Sequence, residues 1–334
     1  MRIIVHGIGA VGGTIAAALA EAGRDVLGIA RGGMLEAMKD APMTLRHPGG
    51  DVTVRVPVVG HPDEIDFRPD DLICLTMKSQ DTGDALRALR AAGVREQPIF
   101  CLQNGIANEP MALRLFPNVH GVTVMMPATY TVPGVVVCHG TPKLGLFDIG
   151  RFPSGHDAAD AALARAFDQS GMAGFVHDDV MASKRGKLLL NLGNALEASL
   201  GRGTERGDWP EKVRAEAEGV LGAAGLAWDD VGMDMPRRKE LMQMGEIPGE
   251  ERFGGSTSQS LVRSTGRVET DYLNGEIAWL ARMHGMEAPL NAFLTDLMAV
   301  IAAHGAGPGA LSLAGLDAEF ARWQAGAAID IAAT

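Results

Sequence analysis

Aromatic residues, cysteines and positive charge are all scarce in this chain of 334 residues, and each scarcity excludes a class of protein. Phe, Trp and Tyr make up 5% of the residues, whereas glycine reaches 43 positions. This composition favours alternating strands and helices over an all-β sandwich. The net charge of −11 argues against a nucleic-acid or anionic-membrane partner, because no large basic surface can form. Any anionic ligand is expected to meet a few locally placed Lys and Arg side chains.

The cysteine positions and the hydropathy pattern exclude further classes of protein. Cys74, Cys101 and Cys138 lie far apart in apolar runs, so they fit neither a disulfide framework nor a metal site. No pair of histidines has metal-ligand spacing, and we predict no metal. The apolar run from Ile3 to Ala20 is interrupted by glycines, which a signal peptide would not contain. No other apolar run is long enough to cross a bilayer. We expect a cytoplasmic protein without membrane contact.

The first half of the chain alternates strand and helix signals. A length of 334 residues suits about two domains of ~150 residues each. Short apolar runs predict strands of a parallel sheet covered on both faces, at Arg2–His6, Asp25–Ala30, Val52–Val59, Leu72–Met77 and Pro98–Leu102. Close-set strands separated by glycine turns predict an antiparallel extension of that sheet, at Val122–Met126, Val135–Cys138 and Leu144–Phe147.

The character of the sequence changes near residue 177. Helical periodicity predicts long helices at Ala182–Leu200, Glu211–Ala224, Val262–His284 and Asn291–His304. The stretch from Met233 to Gly255, rich in Met, Pro and Gly, is interpreted as a loop. The predicted fold class is α/β: a Rossmann-type dinucleotide-binding domain with an antiparallel extension over residues 1–177, and an all-helical domain over 178–334.

A glycine-rich segment between the first strand and the first helix predicts the cofactor. It is a G-x-G-x-x-G in the setting that makes this motif specific for dinucleotides, where helix N–H groups face the pyrophosphate. It reads Gly7-Ile8-Gly9-Ala10-Val11-Gly12. An NAD site usually has an acidic residue after the second strand. Here Arg31 stands there, and a guanidinium is a bidentate partner for a 2′-phosphate. The sequence therefore favours NADP, the alternative being a solvated Arg31.

Polar residues elsewhere indicate a substrate site. Lys78 and Asn104 follow the fourth and fifth predicted strands, at the sheet edge where α/β proteins bind their ligands. Lys187, Asn191 and Asn194 share one face of a predicted helix inside an otherwise apolar run. Two alternatives remain open: solvated loop residues for Lys78 and Asn104, and amides that bridge the two domains for the helix face.

With these residues in view, the chain resembles the ketopantoate reductases (2-dehydropantoate 2-reductases) over nearly its whole length. The resemblance rests on the glycine motif with Arg31, the Lys78 loop and three further segments. These are Leu102-Gln103-Asn104-Gly105, Lys187-Leu188-Leu189-Leu190-Asn191 and Glu269-Thr270-Asp271-Tyr272-Leu273-Asn274-Gly275, the last similar to the family's Glu-Ile-Asp-x-x-Asn-Gly. Two segments depart from the family pattern. Asn194 falls one residue early, and Gly255-Ser256-Thr257-Ser258 replaces the usual serine-led segment.

The resemblance implies a role for each of these residues. Lys187 would donate the proton, with Asn104 and Glu269 also catalytic. Lys78 and Asn104 would lie between cofactor and substrate, and Glu269 would orient the substrate or the nicotinamide ribose. The substrate would be bound by Lys187, Asn191, Asn194 and a hydroxyl of Ser256 or Thr257.

The expected function is NADPH-dependent reduction of a 2-keto acid, namely ketopantoate to pantoate as in pantothenate biosynthesis. The partner is a small molecule, and the chain is compatible with a homodimer. The nearer alternative is a reductase of the same fold that acts on another 2-keto acid or an opine-type substrate. The more distant alternative is a non-catalytic NADPH-binding regulator.

Overall fold

A computed structural model describes residues 1–250, 254–262 and 266–331 of the chain, which divides into two compact units. The first unit comprises residues 1–184 and 229–251, and the second comprises residues 185–228 and 252–334. Residues 229–251 thus belong with the first unit although they follow part of the second. Arg237 is one of the residues that join this segment to the first unit, since its guanidinium pairs with buried Asp148 at 2.5 Å and stacks 4.6 Å from the Phe175 ring centroid.

Strands are confined to the first unit within the described residues. In chain order they are β1 (Ile3–His6), β2 (Val26–Ile29), β3 (Met43–His47), β4 (Gly50–Val54), β5 (Val58–Val59), β6 (Leu72–Leu75), β7 (Ile99–Cys101), β8 (Val119–Met125), β9 (Ala128–Val132), β10 (Val135–Cys138), β11 (Gly140–Pro142), β12 (Leu146–Arg151), β13 (Ala173–Val176) and β14 (Met242–Met244).

The helices follow the same chain order and occur in both units. They are α1 (Ala10–Glu21), α2 (Gly32–Asp40), α3 (Ser79–Ala91), α4 (Asn108–Leu113), α5 (Ala158–Asp168), α6 (Val180–Asn191), α7 (Gly193–Leu200), α8 (Trp209–Ala223), α9 (Pro236–Leu241), α10 (Ser256–Val262), α11 (Asn274–Met283), α12 (Pro289–Ala303) and α13 (Leu313–Gln324). Short 3-10 turns occur at Pro62–Glu64 and Thr270–Tyr272.

The main sheet places β1 at its centre. Within the described residues its eight strands run in the order β13-β12-β8-β7-β6-β1-β2-β5. The pairs from β8 through β5 are parallel, and β12 pairs antiparallel with β8. Strand β1 therefore has β6 on one side and β2 on the other, and all three present their carboxyl ends at one edge. Ligands of open α/β sheets bind at that edge.

A second sheet and a buried helix complete the core of the first unit. The second sheet has the order β4-β3-β10-β9, and β11 pairs with β14 separately. Helix α1 is buried from Gly12 to Leu19, as expected for a helix that is apolar on all sides. Its side chains join one hydrophobic cluster with residues of both sheets, including Ile15, Leu19, Met43 and Val136. The fold thus holds the amino end of α1 directly after β1.

The predicted fold class is confirmed, but several elements differ from prediction. The predicted strand Val52–Val59 is divided, because its first part pairs with β3 and its last two residues pair with β2. Val135–Cys138 lies in the second sheet and not in an extension of the first. Strand β8 is still parallel to β7, and the antiparallel pairing in this sheet is that of β12 with β8. The supposed loop from Met233 to Gly255 contains α9 and β14, and residues 251–253 lie outside the described residues.

The second unit is built from helices. Helix α6 begins in the first unit and ends in the second, and the long helix predicted over Ala182–Leu200 is divided at Leu192 into α6 and α7. The helix predicted over Val262–His284 is also wrong in extent. It is replaced by the end of α10, the turn Thr270–Tyr272 and α11, and residues 263–265 are not described. In the described part of the chain, no helix combines the length and apolar character needed to cross a membrane.

Candidate functional site

The glycine motif forms a tight turn between β1 and α1. Gly7 has a φ of +111°, and a β-carbon there would lie 2.7 Å from the backbone nitrogen of Met77. A β-carbon at Gly12 would fall on the carbonyl oxygen of Gly7 and on the hydroxyl of Thr76. That hydroxyl itself donates to the Gly7 carbonyl at 2.8 Å. Close packing of the turn against β6 therefore requires glycine at both positions.

The middle glycine of the motif faces open space. A β-carbon at Gly9 would meet no atom within 4 Å among the described residues. Gly9 is the N-cap residue of α1 and cannot offer a side-chain cap to the first N–H groups of the helix. These groups and the positive end of the helix dipole suit a pyrophosphate, and the space beside Gly9 lets its oxygens approach. The residues present fit a dinucleotide.

Arg31 lies where the sequence predicts it, at the N-cap of α2 directly after β2. Its side chain is 79% exposed and forms an ion pair of 2.6 Å with Asp81, on the first turn of α3. Sequence reasoning missed Asp81 because 50 residues separate it from Arg31. The order of the strands brings the two residues together, because β2, which precedes Arg31, and β6, which precedes Asp81, both lie next to β1.

His6, the last residue of β1, stays neutral at physiological pH. Burial, the largest cause, acts together with the charges of Arg31 and His61 to lower the pKa of its imidazole to about 4. Arg31 therefore supplies the permanent positive charge beside the carboxyl end of β1.

The predicted residues Lys78 and Asn104 lie on two adjoining loops of the first unit. Lys78 is the N-cap residue of α3, and Asn104 lies between β7 and α4. Buried Asn108 connects the loops, because its amide donates to the Ser79 hydroxyl at 3.0 Å and to the Asn104 carbonyl at 3.3 Å. Two further bonds complete the network, from Thr82 to Asn108 at 2.7 Å and from Gln103 to Thr82 at 3.1 Å. The network holds both predicted residues at one edge of the sheet.

A buried ion pair that the sequence did not reveal attaches α6 to this edge. The ammonium of Lys184 contacts the carboxylate of Glu109 on α4, and both side chains are at most 2% exposed. The same ammonium donates to the carbonyls of Cys101 at 3.2 Å and Gln103 at 2.9 Å. Burial raises the pKa of Glu109, and the charge of Lys184 acts in the opposite direction. The start of α6 is thereby tied to the loop that carries Asn104.

The second unit carries Lys187 and Asn191 one turn apart near the end of α6. Asn191 is 6% exposed, and its amide nitrogen has no hydrogen-bond partner among the described residues. A buried amide donor without an acceptor is costly, so this nitrogen is suited to a ligand oxygen. The interpretation of this helix face as a polar pocket, made from spacing alone, gains a physical basis at Asn191.

Asn194 and the serine-rich segment come together at the start of α10. A β-carbon at Gly255 would lie 2.9 Å from the side-chain oxygen of Asn194. Glu197, which sequence reasoning missed, accepts the N–H of Gly255 and lies 3.4 Å from the Ser258 hydroxyl. The Ser258 hydroxyl therefore donates a hydrogen bond to the carboxylate of Glu197. Ser256 and Thr257 both lie on α10, Thr257 being 3% exposed.

Glu269 lies in the buried motif near the end of the chain. It is 6% exposed and directly precedes the turn Thr270–Tyr272. The amide of Asn274, in the same motif, donates to the carbonyl of Leu192 at 3.3 Å and to Asn291 at 3.0 Å. Because Leu192 follows Asn191, this bond brings the Glu269 motif to the end of the helix that carries Lys187. Two segments with predicted substrate-side residues thus contact the α6–α7 region, through Asn274 at Leu192 and through Gly255 at Asn194.

One cluster of side chains has the chemistry of metal ligands, but hydrogen bonds and ion pairs within the protein explain it. His120, Asp157 and Asp160 present ligand atoms within 4.8 Å of one another. Asp160 accepts from His120 at 2.7 Å and from the backbone of Asp157, and Asp157 accepts from Arg151 and Ala159. The carboxylate oxygens are thus engaged by protein donors, and a cation would have to displace them.

Comparisons with known proteins identify the family of this chain. Residues 3–154 match the sequence model described as ketopantoate reductase PanE/ApbA, and residues 187–302 match that of its C-terminal part. A 2-dehydropantoate 2-reductase of Pyrococcus horikoshii is 29% identical over 307 residues, which cover 89% of this chain and 96% of that protein.

Solved structures share the fold over most of their length. A PanE/ApbA family ketopantoate reductase from Ralstonia eutropha has a TM-score of 0.75 at 29% identity, covering 91% of this chain and 99% of that one. A D-mandelate dehydrogenase with NADH and anilino(oxo)acetate has a TM-score of 0.76 at 23% identity, with the same coverage. At 23% identity, the similarity to the D-mandelate dehydrogenase supports the fold alone.

Proposed function

Because the chain belongs to the ketopantoate reductase family of NADP-dependent oxidoreductases acting on CH–OH groups, we propose that it reduces ketopantoate to pantoate. Pantoate is the product that the enzyme name 2-dehydropantoate 2-reductase implies, and it serves pantothenate biosynthesis. The main support for the proposal is the buried amide nitrogen of Asn191, which has no hydrogen-bond partner among the described residues and lies one helical turn from Lys187. A reductase of 2-keto acids needs donors of this kind for the oxygens of its substrate.

The first unit holds the cofactor in this proposal. The turn Gly7–Gly12 and the amino end of α1 receive the pyrophosphate, and Arg31 meets the 2′-phosphate. NADPH, when bound, supplies the hydride for the keto carbon. Lys78 and Asn104, held by the Asn108 network, contact the cofactor and orient the acceptor. Orientation of the reactants can lower the barrier by several kcal/mol.

The second unit supplies the proton and the substrate contacts. The ammonium of Lys187 stabilises negative charge as it develops on the keto oxygen and then donates its proton to that oxygen. Asn191 donates a hydrogen bond to a substrate oxygen from its buried nitrogen. Asn194, with Ser256 or Thr257, contacts the carboxylate. Buried Glu269 orients the substrate and accepts a hydrogen bond from its terminal hydroxyl or from the nicotinamide ribose.

The test is NADPH oxidation by the purified protein with ketopantoate, followed by identification of pantoate as the product. We expect turnover with stoichiometric pantoate. Binding of NADPH without turnover on any 2-keto acid would contradict the proposal and indicate the non-catalytic regulator. Turnover only with a different 2-keto acid or with an amino acid as co-substrate would indicate the alternative reductase.

A further inference from the structure

The ion pair between Arg31 and Asp81 lies across the carboxyl end of β1. Arg31 follows β2, Asp81 belongs to the helix that follows β6, and β1 lies between these strands. Neighbouring strands are about 4.8 Å apart, so the two side chains span roughly 10 Å from one neighbour of β1 to the other. The glycine turn begins where β1 ends. A dinucleotide on this turn would therefore pass close to both members of the pair.

The two charges act in opposite directions on the 2′ position of the cofactor. A 2′-phosphate carries close to two negative charges at neutral pH. Arg31 attracts it, whereas the carboxylate of Asp81, 2.6 Å from the same guanidinium, repels it. A 2′-hydroxyl experiences no such repulsion, and in NAD sites a carboxylate usually accepts a hydrogen bond from this hydroxyl. His6, with its pKa lowered to about 4, adds no charge that would offset Asp81.

Burial makes Asp81 more effective than an ordinary surface charge. Its side chain is 21% exposed, against 85% for Asp84 on the next turn of α3. A partly buried charge is screened less by salt than an exposed one. Asp84 pairs with Arg87 at 2.5 Å on the same helix, and so offers a matched comparison.

We propose that Asp81 sets the cofactor selectivity of this protein by repelling the 2′-phosphate of NADPH and accepting a hydrogen bond from the 2′-hydroxyl of NADH, so that NADH is a working second cofactor. Asp81 therefore holds the preference for NADPH below the value that Arg31 alone would give. The inference rests on the cofactor part of the proposed function and is independent of the identity of the substrate.

The experiment measures the dissociation constants of NADPH and NADH by nucleotide fluorescence, without substrate, in the unmodified protein, Asp81→Asn and the control Asp84→Asn. Asparagine keeps the size of Asp81 and an oxygen for Arg31 but removes the charge. We expect the unmodified protein to bind both nucleotides. Asp81→Asn should raise the ratio of NADPH to NADH affinity about tenfold, equivalent to about 1.4 kcal/mol. Asp84→Asn should leave the ratio unchanged.

Two results would overturn the inference: an unchanged ratio of NADPH to NADH affinity in Asp81→Asn, or weaker NADPH binding in that variant. The last would make Asp81 a positioning residue that orients Arg31. Thermal melting of each variant shows whether it is folded. Failure of the unmodified protein to bind either nucleotide would instead refute the cofactor assignment, whereas failure to reduce ketopantoate would leave these binding results intact.

Discussion

Among single residues, Lys187 has the central chemical role in the proposed reaction, as the donor of the proton. Lys187→Ala removes the proton donor, so turnover should fall by about 10²–10⁴-fold, the usual contribution of a positioned acid, with NADPH affinity largely retained. Steady-state kinetics and nucleotide titration measure the two quantities. Lys212→Ala is the matched control, because Lys212 is an exposed residue of α8 that pairs with Asp208, the N-cap residue of that helix. Near-normal turnover in Lys187→Ala would transfer the proton-donor role to Lys78.

Arg31 provides the test of 2′-phosphate recognition. Arg31→Ala should weaken NADPH binding by about 1.5–3 kcal/mol, the range for hydrogen bonds to charged groups, and leave NADH binding nearly unchanged. Titration with each nucleotide measures this. Arg87→Ala, which removes an exposed arginine of α3, should affect neither. Equal losses for the two nucleotides in Arg31→Ala would contradict the assignment.

His6 predicts a pH dependence of stability. Its pKa is about 4 in the folded protein against an ordinary 6.5, so the unfolded chain binds more protons between these values. Stability should therefore fall as the pH drops from 6.5 towards 4. The expected loss from His6 is about 2 kcal/mol between pH 7 and pH 5.

Denaturant unfolding of the unmodified protein and of His6→Asn at about pH 7 and pH 5 isolates this effect from other titrating groups. The asparagine variant should lose less stability on acidification. An identical loss in both proteins would show that His6 is accessible to protons in the folded state.

At the scale of elements, the buried pair of Lys184 and Glu109 attaches α6 to the sheet edge. Lys184→Met leaves a buried carboxylate without its partner, which typically costs about 3–5 kcal/mol. The double variant Lys184→Met with Glu109→Leu removes both charges and should recover most of that loss. Unfolding midpoints of the three proteins measure this. If Lys184→Met is as stable as the unmodified protein, the pair does not anchor the helix.

Elements with strong local signals could be predicted from the sequence, and elements determined by distant pairing could not. The strands Ile3–His6, Leu72–Leu75 and Ile99–Cys101 are short apolar runs, and each was predicted within two residues at either end. Val52–Val59 looked like a single strand because alternation is local, whereas its division depends on pairing with two different strands. The interruption at Leu192 likewise has no signal in the helical periodicity around it.

In the molecule as a whole, some site residues can be recognised from their local position in the sequence, whereas others depend on contacts between distant segments. The glycine motif and Arg31 can be recognised in the sequence because each directly follows a predicted strand, and this position indicates binding of a dinucleotide. Asp81 and Glu197 could not be predicted, since each acts through a contact with a segment 50 or 58 residues away. The resemblance located Glu269, whereas its link to the α6–α7 junction through Asn274 required the fold.

Substrate choice tests the central claim, which is reduction of ketopantoate. Ketopantoate offers a carboxylate, a keto oxygen and a terminal hydroxyl, and the proposed partners are Ser256 or Thr257, Lys187 and Glu269. A site built to pair a substrate hydroxyl rejects the analogue that lacks it, because its own polar group is then left buried without a partner. 2-Ketoisovalerate lacks the hydroxymethyl group of ketopantoate. In Glu269→Gln, the difference in kcat/KM between ketopantoate and 2-ketoisovalerate should become smaller.

The most direct measurement is therefore kcat/KM of the unmodified protein for ketopantoate and for 2-ketoisovalerate, with saturating NADPH. We expect a clearly higher kcat/KM for ketopantoate. Comparable values for the two acids would contradict it, because the pocket would then not recognise the hydroxyl that distinguishes them.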